Sequence, residues 1–216
     1  MASEKSRRTR MSGAQRREQL ITVGRRVFAE RGFEGATVEE IAAAAKVSKP
    51  VVYEHFGGKE GLYAVIVDRE VRTLLESIRA ALTRRTTMRG LVQAGTLAML
   101  DYVATTPDGF AILARDTAPG TTGTSLTTIL GDVASRVEDL LVAAFKKHKY
   151  DPKLARMYSQ MLVGMVAYTA QWWLGEKQPK QDEVAAQLVN LAWNGLSHLE
   201  HDPGLLPPEN DNLTAR

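Results

Sequence analysis

The chain has 216 residues, 44% hydrophobic and 25% charged, with a formal net charge of +3 and no cysteine. That length holds one generous core, or a small domain beside a larger one. The missing thiol excludes a disulfide scaffold, a thiolate metal site and a cysteine nucleophile. No run of about 18 apolar residues is present to span a bilayer, and the basic start MASEKSRRTRMSGAQRRE lacks the apolar stretch of a secretory signal, so no membrane partner and a cytoplasmic location are expected. The charge is uneven: residues 1–60 hold 12 Lys/Arg against 8 Asp/Glu, and the remainder 16 against 17. A basic first quarter on a near-neutral body fits contact with a polyanion or a solubilising surface.

Hydrophobic spacing reads as helix nearly throughout, with no alternating strand pattern and no repeat of 20–50 residues. Residues 1–13 are small, polar and basic, and are expected to form a disordered arm. From Ala14 to about Arg31, Leu20, Gly24, Val27 and Phe28 share one helical face, and Gly32 is placed to end the helix. Thr37, with Glu40 three residues on, spells a capping box. It opens a short helix through about Ala45 that buries Val38, Ile41, Ala42 and Ala45. After Lys46-Val47, Ser48 is the expected cap of a second short helix, with Pro50 in its first turn and Gly57-Gly58 at its end. A long helix is expected from Lys59 to about Leu82, carrying Leu62, Val65, Ile66, Leu74, Leu75 and Ile78 at helical spacing. Further helices are predicted over roughly 87–105, 106–115, 125–147, 151–175 and 180–200, with Pro119–Gly123 the most loop-like interior stretch. The expected organisation is all-α, about nine helices: an arm over 1–13, a small domain over 14–60, a larger bundle over 61–201 and a disordered tail over 202–216.

Two short helices joined by a tight turn have the dimensions of a helix-turn-helix, here spanning 37–56. Ala42 and Ala45 are small where the helices would cross, and Val47, Val52 and Phe56 would hold the second helix to the first. Lys49, Pro50, Val51, Glu54 and His55 are left facing outward, and the first residues of such a helix meet base edges in a major groove. From Phe28 to Tyr63, the stretch FAERGFEGATVEEIAAAAKVSKPVVYEHFGGKEGLY resembles the DNA-binding signature of the TetR family. The distinctive elements are RGF, T-V-x-x-I-A, V-S-K, V-Y-x-H-F and K-E-x-L-Y, over a quarter to a third of the chain.

The resemblance implies double-stranded operator DNA as partner and roles for individual residues. Thr37 would meet a phosphate at the start of its helix. Lys49 matches a base-contacting position and can donate to guanine O6/N7, although contact with the backbone is the equal alternative. Ser48 opens the recognition helix, and Pro50 and Val51 would pack on thymine methyls or the sugar edge. Tyr53 and His55 match phosphate contacts, His55 having a second reading as a cap of its own helix. Lys59 matches a phosphate clamp, against a plain solvated lysine. Lys46 stands where the family often has glycine; a left-handed turn there costs a non-glycine residue on the order of 1 kcal/mol, and its side chain would lie near the DNA backbone. Lys5, Arg7, Arg8, Arg10, Arg16 and Arg17 read as an unspecific phosphate brush in preference to a minor-groove arm.

Beyond residue 84 no G-x-S-x-G, H-E-x-x-H, P-loop or G-x-G-x-x-G occurs, so neither an enzyme nor a cofactor site is expected. His198 and His201 lack a third metal ligand nearby, and Asp101, Asp108 and Asp116 read as surface or capping residues. The resemblance assigns this region an effector pocket and a four-helix dimer interface formed by the last two helices of each subunit. Both helices are rich in apolar residues, and a helix apolar on two sides faces its own core and a partner; an ordinary core helix is the alternative. The expected dimer contacts are Met161, Met165, Leu188, Leu191, Gly195, Leu196 and Leu199. The expected pocket residues are Met99, Tyr102, Phe110, Ile112, Tyr168 and Trp172, with plain core as the alternative, and the ligand would be hydrophobic or amphipathic. The function expected is a homodimeric repressor on a palindromic operator, released by such a ligand. An effector-independent regulator or an activator of the same fold is the alternative, and a helical enzyme or partner-binding protein with a repurposed head is the remote one.

Overall fold

The computed structural model describes residues 11–115 and 126–205. Among these, nine α-helices follow one another: α1 Gly13–Gly35, α2 Val38–Ala44, α3 Lys49–Phe56, α4 Lys59–Leu82, α5 Met88–Thr105, α6 Pro107–Ala114, α7 Leu126–His148, α8 Ala155–Glu176 and α9 Gln181–Ser197, with a 3-10 turn Pro152–Leu154 leading into α8. Lys5, Arg7, Arg8, Arg10, Asp116, the loop-like Pro119–Gly123 and the tail from 206 lie outside the described residues.

Helix α1 begins earlier than its apolar spacing alone suggests. Gln15 donates its N–H to Ser12 Oγ at 3.2 Å and Ser12 donates its N–H to Gln15 Oε1 at 2.8 Å, a reciprocal capping box. The last two residues of the expected arm are therefore the cap and first residue of a helix, and Arg16 and Arg17 sit in its first two turns. Gly32 does interrupt the helical geometry, at φ 72° and ψ 174°, but one more turn follows it. That turn folds Phe33 back onto Phe28 and Tyr63, with ring centroids 6.2 and 4.9 Å apart.

The core is continuous from α1 to α9. Leu20, Ile21 and Phe28 of α1, Ile41 of α2 and Val52 of α3 are fully buried together with Leu62 and Ile66 of α4. Each such side chain contributes about 1.5–3 kcal/mol by leaving water. The division expected between residues 60 and 61 falls in the first turn of α4, a helix shared by both parts: Leu62 and Ile66 serve the small domain, while Ile78 and Leu82 face the larger one. In the larger part α8 packs on α7 and α5, and α9 on α5.

Helix α6 lies against α1 and α4, where the two parts are polar as well as apolar at their contact. Glu70 of α4 is 2% exposed and pairs with Arg25 Nη2 of α1 at 2.8 Å. Tyr102 of α5 donates its hydroxyl to Glu70 Oε2 at 2.8 Å. Gly109 of α6 makes room for this carboxylate, since a Cβ there would stand 2.2 Å from Glu70 Oε2. Arg69 forks onto Glu18 at 2.6 and 2.9 Å, tying α4 to α1 a second time, and holds the Glu18 carboxyl below the usual range chiefly through that hydrogen bond.

Candidate DNA interface and effector cavity

The helix-turn-helix is built from local signals. Thr37 caps α2, accepting the Glu40 N–H at 3.1 Å while its own N–H donates to Glu40 Oε2 at 3.2 Å. At the other end Lys46 takes φ 56°, its N–H donating to Ala43 O at 3.0 Å and that of Val47 to Ala42 O at 2.9 Å. This pair of bonds is a Schellman closure with lysine in the position that glycine favours. Gln19 of α1 adds a bond sequence reading missed, donating Nε2 to Ala45 O at 3.1 Å. The turn is thus held from three sides, which offsets a local strain on the order of 1 kcal/mol.

Helix α3 starts at Ser48, whose backbone is extended and whose side chain makes no capping bond. Val52 is buried, Val51, His55 and Phe56 are half-buried, and Ser48, Lys49, Pro50 and Glu54 are exposed. Tyr53 is 54% exposed. The end of α3 is closed by left-handed Gly57, whose N–H donates to Tyr53 O at 2.8 Å, so the capping alternative for His55 is met by another residue. Arg17 of α1 stands over the Phe56 ring at 4.9 Å. Thr37 and Lys46 are exposed with the outer face of α3, which brings the expected DNA-facing residues, except half-buried Val51, His55 and Lys59, to open surface.

Two of these lysines are already engaged. The Lys49 ammonium pairs with Glu39 in the first turn of α2, and this hydrogen bond holds the Glu39 carboxyl below its ordinary range. Lys59 donates to Phe33 O at 3.0 Å and sits 4.3 Å from the centroid of the Phe33 ring. It is therefore an anchor between α4 and the end of α1, not a plain solvated lysine. An ammonium has three donors, so this bond leaves others for a phosphate.

In the larger part a cavity of about 300 Å³ opens between five helices. Ile78 and Leu82 come from α4, Leu91 and Met99 from α5, Val137 and Phe145 from α7, Leu162 and Met165 from α8, and Trp193 and Leu196 from α9. Thr96 is a buried polar group in this wall; His148, Tyr150 and Ser197 also line it. Tyr150 donates its hydroxyl to Leu199 O at 2.8 Å, and the His201 ring stacks on it at 4.4 Å.

The structure redistributes the residues expected here. Of the six pocket candidates Met99 lines the cavity. Tyr102, Phe110 and Ile112 are buried away from its wall: the Tyr102 hydroxyl is turned to Glu70, and α6 packs against α1 and α4. Tyr168 and Trp172 point outward, 78% and 52% exposed. Of the dimer candidates, Met161, Leu191 and Gly195 are on the outer surface. Met165 and Leu196 line the cavity instead, Leu188 is core, and Leu199 is packed beside Phe145. On α8, Met157, Met161, Tyr168 and Trp172 fall within about 60° of arc at 100° per residue; Met165 is turned further round and reaches the interior. Tyr168 and Trp172 thus belong to the outward stripe.

Among the described residues no group of three or more His, Asp or Glu is arranged to hold a metal, and no helix is long and apolar enough to cross a membrane. Asp101 contacts Gln181, and His198 Nδ1 lies 2.9 Å from Asn194 O.

A recognition helix seated on the end of a long helix that runs on into a ligand-sized cavity defines a helix-turn-helix regulator. Residues 20–66 match the family model of bacterial regulatory proteins of the tetR family, and residues 88–195 match a tetracyclin repressor-like C-terminal domain. The chain is 31% identical over 201 residues to the HTH-type transcriptional activator FasR of Mycolicibacterium smegmatis, covering 89% of this chain and 88% of that one. It is 34% identical over 62 residues to the HTH-type transcriptional repressor AcnR of Corynebacterium efficiens, covering 29% and 33%. The crystal structure of AibR with isovaleryl coenzyme A and operator DNA shares the fold at TM-score 0.69 and 19% identity, covering 82% of this chain and 97% of that one. The chain belongs to the TetR family: it is a DNA-binding transcriptional regulator, not an enzyme.

Proposed function

We propose that this regulator acts as a homodimer on an inverted-repeat operator, and that an apolar or amphipathic small molecule seated in the cavity changes its operator affinity. The observation that carries this reading is the course of α4. Lys59 ties its start to the end of α1 and Leu62 seats it in the core it shares with α3, while Ile78 and Leu82 form part of the cavity wall. Residues 59 and 78 stand about 28 Å apart along one unbroken helix at 1.5 Å per residue. A ligand that favours one seating of the far end of α4 biases the orientation of the near end, provided it binds the two seatings differently. In a dimer this alters the spacing of two recognition helices, to which paired half-sites are sensitive.

The dimer reading is supported by the outward stripe of α8 and α9: Met161 is 55% and Leu191 65% exposed, beside Tyr168 and Trp172. Gly164 and Gly195 have nothing within 4 Å of a Cβ position, leaving room for close helix approach. The ligand class follows from the wall, which is mostly apolar, and is in keeping with the acyl thioester bound in AibR. Repression by occlusion is the simple consequence of operator binding. Activation is a second reading, favoured by the likeness to an activator over nearly the whole chain, whereas AcnR matches over the DNA-binding third.

The test is a fluorescence-anisotropy titration on an operator recovered by selection from random duplexes. Straight-chain carboxylic acids and their coenzyme A thioesters are the probes. At least one is expected to shift operator affinity about 5- to 150-fold, the usual span of such coupling. Gly95→Phe, which fills the cavity from α5, is expected to keep operator binding and lose the shift. Probes that bind the protein without moving operator affinity would overturn the effector part of the reading.

A further inference from the structure

We propose that Glu39 is a positioning residue for DNA recognition: it holds the Lys49 ammonium in place and restrains binding to unspecific DNA. Glu39 lies in the first turn of α2 and Lys49 at the first position of α3, so their ion pair bridges the two helices across the exposed face of the motif. Both side chains remain half in water, 57% and 51% exposed. An exposed pair of this kind is weak, yet enough to select a rotamer of a four-carbon side chain.

Apart from this pair, Glu39 only lends its negative charge to the start of α2, where its own backbone N–H bonds the carboxylate. The capping of α2 belongs to Glu40, which accepts from both the N–H and the hydroxyl of Thr37. What Glu39 contributes is a carboxylate beside the outer lysine of the recognition helix. Phosphates surround any duplex, and a lysine gains affinity there simply by displacing counterions. A lysine already neutralised by Glu39 gains less. Base acceptors in the major groove ask something different, a donor at a fixed place. An ammonium has three donors, so Lys49 can keep Glu39 and donate to a base edge together. The pair therefore costs unspecific binding more than specific binding.

The experiment compares wild type, Glu39→Gln, Lys49→Ala and the double variant on the selected operator and on a scrambled duplex of equal length, across a salt series. Glu39→Gln is expected to bind the scrambled duplex about 3- to 10-fold more tightly, with a log–log salt slope steeper by about one, as for one added phosphate contact. Operator affinity is expected to rise less, so discrimination narrows. In the Lys49→Ala background the Glu39 effect is expected to vanish, the double-mutant signature of action through Lys49. Thermal melting of Glu39→Gln is expected to fall by no more than a few degrees, since the Thr37–Glu40 cap is kept and only one first-turn charge is lost. Equal change on both duplexes with an unchanged slope would overturn the proposal. So would an effect that persists without Lys49, or a loss of operator affinity alone, which would make Glu39 itself a base reader. The DNA-binding function on which this rests needs no effector, and a failure there would appear as the absence of an enriched operator, before Glu39 is tested.

Discussion

Glu70 shows what a single buried carboxylate asks of its neighbours: an arginine from one helix, a phenol from another and a glycine from a third. Burial first, then the adjacent carboxylate, pushes the Tyr102 phenol far above its ordinary range, and burial raises Tyr63 in the same direction. A raised phenol stays protonated in the fold while the unfolded chain ionises near pH 10. Its contribution is therefore complete below about pH 10 and lost as pH rises beyond it. Tyr102→Phe is expected to cost about 1–3 kcal/mol at pH 7, the penalty of a buried acceptor losing its donor, and to flatten the alkaline loss. Urea unfolding at pH 7 and above pH 10 checks both, and parallel curves for the two proteins would contradict them. At the DNA face, Lys49→Ala is expected to weaken operator binding by about 1–3 kcal/mol with unchanged melting. Lys59→Ala should weaken operator and scrambled duplex alike and also lower the melting temperature, because it frees the Phe33 carbonyl. Thr37 and Glu40 were legible as a pair because their partnership spans three residues. The bond of Lys59 reaches back 26 residues and that of Tyr102 to Glu70 spans 32, distances over which a sequence offers no period to read.

Helices were legible where punctuation and spacing agreed, as at α2, α3 and α4. Where one helix carries two apolar faces, spacing shows both faces and not which structure each one meets. On α8, Met161 and Met165 are only about 40° apart, yet one is on the outer surface and the other lines the cavity. The short α6 misled for another reason: Phe110 and Ile112 have the chemistry of a pocket wall, but their helix is laid against α1 and α4. At this scale Gly109 is the sensitive point. Gly109→Ala would place a methyl 2.2 Å from Glu70 Oε2, and the carboxylate is tied on both sides. The expected cost is about 1–3 kcal/mol, as for overpacking elsewhere, read as a lower urea midpoint with unchanged slope. A wild-type midpoint would mean that Glu70 has room to move and that the α1–α4–α6 contact yields to a methyl group.

For the whole molecule, the small domain could be read from one continuous stretch, whereas the cavity exists only once five helices converge, so no segment announces it. The proposed dimer surface is intermediate: the apolar stripe is visible in sequence, and the fold decides which of its residues stay outside. Met161→Glu with Leu191→Glu is expected to give a folded monomer by sedimentation, with helical circular dichroism retained. Its operator affinity should fall by two orders of magnitude or more, since each half-site then binds without its neighbour. The most direct test of the central claim is selection of bound sequences from a random duplex pool at near-physiological salt. Enrichment of two inverted half-sites about one or more helical turns apart is the expected result for two recognition helices presented by a symmetric dimer. Enrichment of a single half-site, or of no sequence at all by a folded protein, would contradict it.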